Sequence, residues 1–115
     1  MNDNLPGKGS EILIYQTEDG RTRVDVRLEN ETVWLSQKLM AELFQKDVRT
    51  INEHIKNIYS EGELGPEGTI RKFRIVRMEG RRQVNRQVDF YNLDMIISVG
   101  YRVKSLIATR FRIWA

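Results

Sequence analysis

Between Leu35 and Ile58 the apolar residues recur at intervals of three and four in two short blocks, with only a few polar residues between them. That spacing calls for two consecutive amphipathic helices. Ser36 is placed to cap the first, with Leu35 and Met40 in the positions of a hydrophobic staple. The helix is expected over about Gln37 to Phe44, with Leu39, Met40, Leu43 and Phe44 inward and the small Ala41 where another backbone can approach. Gln45 and Lys46 follow, and Asp47 caps the second helix. Its Val48, Ile51, Ile55 and Ile58 repeat at three, four and three, leaving Arg49, Thr50, Asn52, Glu53 and Lys56 outward. The helix should end near Tyr59, because Ser60 to Gly68 is dense in helix breakers. Two short helices joined by about three residues form the helix-turn-helix pattern. Gln45 stands where a glycine is usual in that turn, and Lys46 where an apolar residue is usual.

Strand patterns flank this pair. Glu11–Gln16 is apolar and β-branched, and Thr22–Leu28 alternates, with Val24, Val26 and Leu28 on one face. The Asp19-Gly20 pair between them tolerates the positive φ of a tight turn, so the chain opens with a β-hairpin. Glu29-Asn30-Glu31 reads as a polar loop, and Thr32 to Leu35 as a short apolar approach to the first helix. From Thr69 the period is again that of a strand. Val84, Val88 and Phe90 alternate with polar residues, and Met78 to Arg82 form the turn. The first arm of this second hairpin is less regular, since Phe73 and Ile75 share one face and Val76 and Met78 the other, which suggests a bulge. Asn92 caps a helix running to about Val99, where Gly100 is a stop signal, and Ser105 starts a last helix with Ile107, Phe111 and Trp114 on one side.

The expected fold is therefore α+β and winged helix-turn-helix-like: an amino-terminal β-hairpin, a two-helix unit, a basic β-hairpin wing and carboxy-terminal helices. Residues 1–10 read as a loose tail and 11–115 as one domain. The chain stops at Ala115 without a helix stop signal and reads as part of something longer. With nothing later to cover Ile107, Phe111 and Trp114, a homodimer through the carboxy-terminal helix is expected.

Charge is concentrated in one place. Thr69 to Val88 holds seven Lys or Arg (Arg71, Lys72, Arg74, Arg77, Arg81, Arg82 and Arg86) against one acid, Glu79, whereas the whole chain has a net charge of only +3. A hairpin carrying the positive charge of the molecule suits a polyanion. Double-stranded DNA is the expected partner, and sequence-specific binding by a transcriptional or mobile-element regulator the expected function. On the second helix, Arg49, Thr50, Asn52 and Glu53 are the candidate base contacts, since Arg pairs with guanine, Asn with adenine and Glu with cytosine N4. Lys46, Lys56, Arg71, Lys72, Arg74, Arg77, Arg81 and Arg82 are the candidate backbone contacts, the last two at the wing tip. Arg86 falls on the apolar face of its strand and is expected to pair with Asp89 or Glu79. The competing reading is a protein-interaction or oligomerisation module in which Tyr101, Phe111 and Trp114 form the partner surface.

Several other classes find no footing. The chain has no cysteine and one histidine, His54, which leaves no disulfide framework and no spaced metal-ligand set. Asp89 and Asp94 are the nearest approach to a paired-carboxylate site, and Gly62, Gly65 and Gly68 lie among acids that would repel a phosphate. No cofactor, metal or catalytic role is expected. The apolar runs are far shorter than the roughly 20 residues of a membrane span, no signal peptide is evident, and a cytoplasmic location follows.

Finally, the run VWLSQKLMAELFQKDVRTINEHIKNIYSEGEL, the hairpin through QVDFYNLDMIISVGYRVKS and the ending ATRFRIWA together resemble the amino-terminal region of the virulence-associated RhuM family. The closing part, with Arg110, Phe111 and Trp114, is also similar to the amino-terminal domain of phage antirepressors. The resemblance implies a bacterial, mobile-element-linked protein that binds DNA, and it implies no reaction.

Overall fold

The structure, a computed structural model, describes residues 10–115. The loose tail expected over 1–10 lies outside the described residues, except for Ser10, whose backbone opens the first strand. Among the described residues five strands, β1 (Ser10–Gln16), β2 (Arg23–Glu29), β3 (Thr32–Ser36), β4 (Ile70–Glu79) and β5 (Arg82–Asn92), form one sheet in the order β1-β2-β3-β5-β4. Every neighbouring pair is antiparallel. Four helices among the described residues accompany it: α1 (Gln37–Phe44), α2 (Val48–Ser60), α3 (Leu93–Arg102) and α4 (Ile107–Trp114). The fold is thus α+β, and the sheet dominates it.

The two expected hairpins belong to one sheet, joined by β3, a segment whose sequence reads only as an approach to α1. Trp34 pairs with Arg27 on one side and Asn92 on the other, and Leu35 lies opposite Tyr91. β3 is legible only through those partners. It has five residues, and both of its faces are buried, so it lacks the alternation that betrays a half-exposed strand. The polar loop before it is a two-residue turn in which Asn30 and Glu31 have φ of 55° and 61°. Two successive positive φ values match the type I′ turn, which favours Asn-Gly. Glu31 adopts a conformation that costs an L-residue about 1–2 kcal/mol. Glu31→Gly is therefore expected to stabilise the domain by roughly 0.5–1 kcal/mol after the greater chain entropy of glycine is discounted. Thermal unfolding should show a midpoint higher by roughly 2–6 °C, and a lower midpoint would contradict the assignment.

One face of the sheet carries the main core. Val24 and Val26 of β2, Val33 and Leu35 of β3, and Tyr91 of β5 pack against Met40, Leu43 and Phe44 of α1, Ile51, Ile55 and Ile58 of α2, and Met95, Ile96 and Val99 of α3. The opposite face has a smaller cluster in which Phe73 meets Trp34 and Phe90 edge-on, at ring separations of 5.9 and 5.1 Å. The Arg27 guanidinium lies 4.6 Å from the centre of the Phe73 ring, and Arg71 lies 5.6 Å from it. A cation held over an aromatic face is favourable, so this face mixes rings with arginines.

Two further expectations are corrected. β4 and β5 keep an unbroken register from Ile70↔Tyr91 to Glu79↔Arg82, so there is no bulge; Phe73 and Ile75 simply face one way, and Val76 and Met78 the other. Gly100 does not end α3. It sits inside the helix, where an added Cβ would lie 2.3 Å from the Ala108 Cβ and 3.2 Å from Phe44, and it permits the close crossing of α4. The stop comes at Lys104 (φ 56°), with Lys104 N–H donating to the Tyr101 carbonyl and Ser105 N–H to the Gly100 carbonyl, the hydrogen-bond pattern of a Schellman end. Among the described residues no helix is long and apolar enough to cross a membrane.

Candidate nucleic-acid interface

The link between α1 and α2 is three residues long, and Gln45 turns it with φ 56° and ψ 48°. A side chain is tolerated there because this one has partners: Gln45 Nε2 donates to the Glu42 carbonyl (2.7 Å) and to Thr22 Oγ1 (3.2 Å). Lys46 is exposed, and its N–H donates to the Ala41 carbonyl (3.0 Å). Asp47 caps α2 by accepting from Thr50 N–H (2.8 Å). That bond, with a second from the Thr50 side chain, holds the Asp47 carboxyl below its ordinary range. Thr50 is therefore engaged in the cap and half-buried.

Of the outward residues on α2, Arg49, Glu53 and Lys56 are exposed, and Asn57 and Ser60 continue the exposed stripe. Asn52 differs. It is half-buried, and its Oδ1 accepts from Gln37 Nε2 (3.0 Å), which also donates to the Tyr91 hydroxyl (3.1 Å). Burial pushes the Tyr91 hydroxyl above its ordinary pKa. A second tie joins the Tyr59 hydroxyl to Thr69 Oγ1 (2.9 Å). α2 is thus pinned at two points to the base of the β4–β5 hairpin. No local sequence signal could reveal the Gln37–Tyr91 contact, since its partners lie 54 residues apart.

The hairpin projects. β5 pairs with β3 only at Phe90–Asn92, while Arg82 to Asp89 pair with β4 alone. A cleft of about 930 Å³ opens where β3 gives way to α1, between Arg27 on β2 and Ile75 and Val88 on the hairpin, with Gln37 and Leu39 along its floor. The turn is Gly80-Arg81, with Gly80 at φ 64°, so Arg81 lies at the tip and Arg82 opens the returning strand. Alternation puts Lys72 and Arg74 on the face shared with Tyr91 and the helices, opposite Asp89 and Gln87. Gln83, Asn85 and Gln87 form a polar row on that face; none of them is a cation, so charge alone does not single them out, although their period of two is visible in the sequence.

The cations fall into two groups. Arg71 pairs with Glu29, Lys72 with Asp89 (2.8 Å), and Arg86 with Glu79 through both Nε and Nη2 (3.0 Å each). Arg86 thus pairs with Glu79, one of the two acids expected for it. Arg71 lies on the aromatic face of the sheet, where its pair with Glu29 ties β4 to β2. Arg77, Arg81 and Arg82 are exposed and make no ion pair among the described residues, and Arg74 is exposed as well. Trp34 belongs to the smaller core cluster, its Nε1 donating to the Glu29 carbonyl (3.0 Å), and His54 is half-buried on α2, with no group of potential metal ligands around it among the described residues.

A family model described as the Virulence protein RhuM family matches residues 68–115, a stretch that holds β4, β5, α3 and α4 and leaves out the α1–α2 pair. Neither a curated protein nor a solved structure matches the chain.

Proposed function

We propose that this chain, whose residues 68–115 are similar to the Virulence protein RhuM family, is a double-stranded DNA-binding module of a transcriptional or mobile-element regulator, built as a winged helix-turn-helix set on a five-stranded sheet. The observation that carries this reading is the double tie, Tyr59 to Thr69 and Asn52 through Gln37 to Tyr91. It fixes a helix with an exposed polar stripe against the base of a projecting, arginine-tipped hairpin. In this arrangement α2 enters the major groove, where Arg49 pairs with guanine and Glu53 accepts from cytosine N4. Arg77, Arg81 and Arg82 lie along the neighbouring backbone, and Lys56 meets a phosphate at the groove edge. Asn52 acts by holding α2 to β5, since its carbonyl oxygen is already occupied.

Fluorescence anisotropy on a labelled random-sequence duplex tests the reading. Binding should weaken with added salt along a straight line in log K against log salt, with a slope near −0.9 per phosphate contacted. Selection from randomised duplexes should then enrich one sequence, with single mismatches costing about 1–3 kcal/mol each. Binding no tighter than that of a control protein of equal charge, with no sequence enriched, would overturn it.

A further inference from the structure

The two edges of the sheet are built differently. β4 carries Arg71, Lys72, Arg74 and Arg77, the kind of charge that keeps edge strands from pairing with another chain. β1, the other edge among the described residues, has a single charge between Glu11 and Gln16, that of Glu11 itself. Its Ile12 and Ile14 are 40% and 52% exposed on the face away from the helices, as their pairing with Arg27 and Asp25 requires. On the helix side an apolar groove of about 380 Å³ runs beside the same strand, lined by Leu13, Ile14, Leu28, Val33, Trp114 and Ala115.

We propose that β1 is a self-pairing edge, at which two copies of this chain join antiparallel about a two-fold axis through Leu13 and make one continuous ten-stranded sheet. The axis stands perpendicular to the sheet, so both sets of helices stay on one side. In this register Leu13 lies opposite itself, Ile12 opposite Ile14 of the partner subunit, and Glu11 opposite Tyr15 of the partner subunit. Apolar residues meet apolar residues and no like charges are opposed, the condition for favourable cross-strand pairs. Moving the axis to Ile12 sets Ile14 against Ser10 of the partner subunit, and moving it to Ile14 sets Ile12 against Gln16 of the partner subunit; both bring isoleucine against a polar residue. The axis at Leu13 also brings together the two grooves that border Trp114, so the contact extends beyond the strands. A two-fold interface is isologous and closes at two copies. The inference stands independently of the DNA reading, although it would present two α2 helices to a palindromic site.

Light scattering at tens of micromolar should give the mass of two chains. Ile14→Lys should weaken self-association at least tenfold, while circular dichroism, and the thermal midpoint at a dilution where both proteins are single chains, stay near those of the unchanged protein, because the side chain is exposed in the single chain. The absence of cysteine allows a second readout. Leu13→Cys sets two thiols across the axis at a Cα separation of about 4.5–5.5 Å, within disulfide range, and oxidation should yield a covalent dimer. Glu11→Cys, whose two copies lie four residues apart in this register, should not cross-link. A single-chain mass for the unchanged protein, or equal cross-linking at positions 11 and 13, would overturn the proposal. So would a dimer that survives Ile14→Lys and is abolished instead by a change at Leu106, which is 81% exposed beside α4; that result would place the contact on the carboxy-terminal helix.

Discussion

Phe111→Ala is expected to lower stability by about 3–5 kcal/mol, a large share of the roughly 5–15 kcal/mol typical of a whole domain. The ring is fully buried and meets Tyr15 edge-on at 5.1 Å. Its only buried companion on α4 is Ala108, so the truncation empties the main contact between that helix and the sheet. A helix of eight residues does not hold itself together in water, and α4 should therefore loosen as a unit. Chemical denaturation should show a midpoint displaced to lower denaturant, and the thermal midpoint should fall by roughly 10–25 °C. Ile113→Ala, at a position 77% exposed, should shift stability by less than about 0.5 kcal/mol. Equal losses of stability for the two changes would mean that α4 packs through a different face. The burial of Phe111 also revises the expected dimer surface. Of the three residues expected to lie uncovered on the last helix, this one is core, Ile107 is half-buried and Trp114 is exposed against Tyr15.

What the sequence disclosed depended on whether its physical cause was local. The bounds of α1 coincide with Gln37–Phe44 because the Ser36 cap, the staple residues and the apolar spacing all act within one or two turns. α2 runs one residue past Tyr59, since Gly62, in its positive-φ position, ends the helix two residues later. β3 was hidden because both of its faces are buried, one of its two partner strands lying more than fifty residues away in sequence, so no alternation marks it. Gly100 misled for a related reason. A glycine near the end of an apolar period reads as a stop, and only the position of Ala108 shows that the missing Cβ makes room for another helix. At the interface, residue type revealed which side chains could touch a polyanion. It could not reveal that Glu29 and Asp89 already hold Arg71 and Lys72, or that Gln37 holds Asn52.

The tie between Gln37 and Asn52 sharpens the second large effect, the separation of roles between helix and hairpin. Changing Arg81 and Arg82 together to Ala should weaken binding to every duplex alike, and the salt slope should become shallower by about 0.9 for each phosphate that is no longer neutralised. Arg49→Ala should instead cost roughly 1–3 kcal/mol on the preferred sequence and little on random DNA, so preference disappears before affinity does. Asn52→Ala distinguishes positioning from reading. If Asn52 acts through Gln37, then Asn52→Ala and Gln37→Ala should have similar effects, and the double change should cost little more than either single one, the signature of two residues in one network. If Asn52 touches a base edge, Gln37→Ala should leave the preferred sequence unchanged while Asn52→Ala relaxes one position of it. Loss of preference on changing Arg81 and Arg82, with preference intact after Arg49→Ala, would make the hairpin the reader and reverse the assignment.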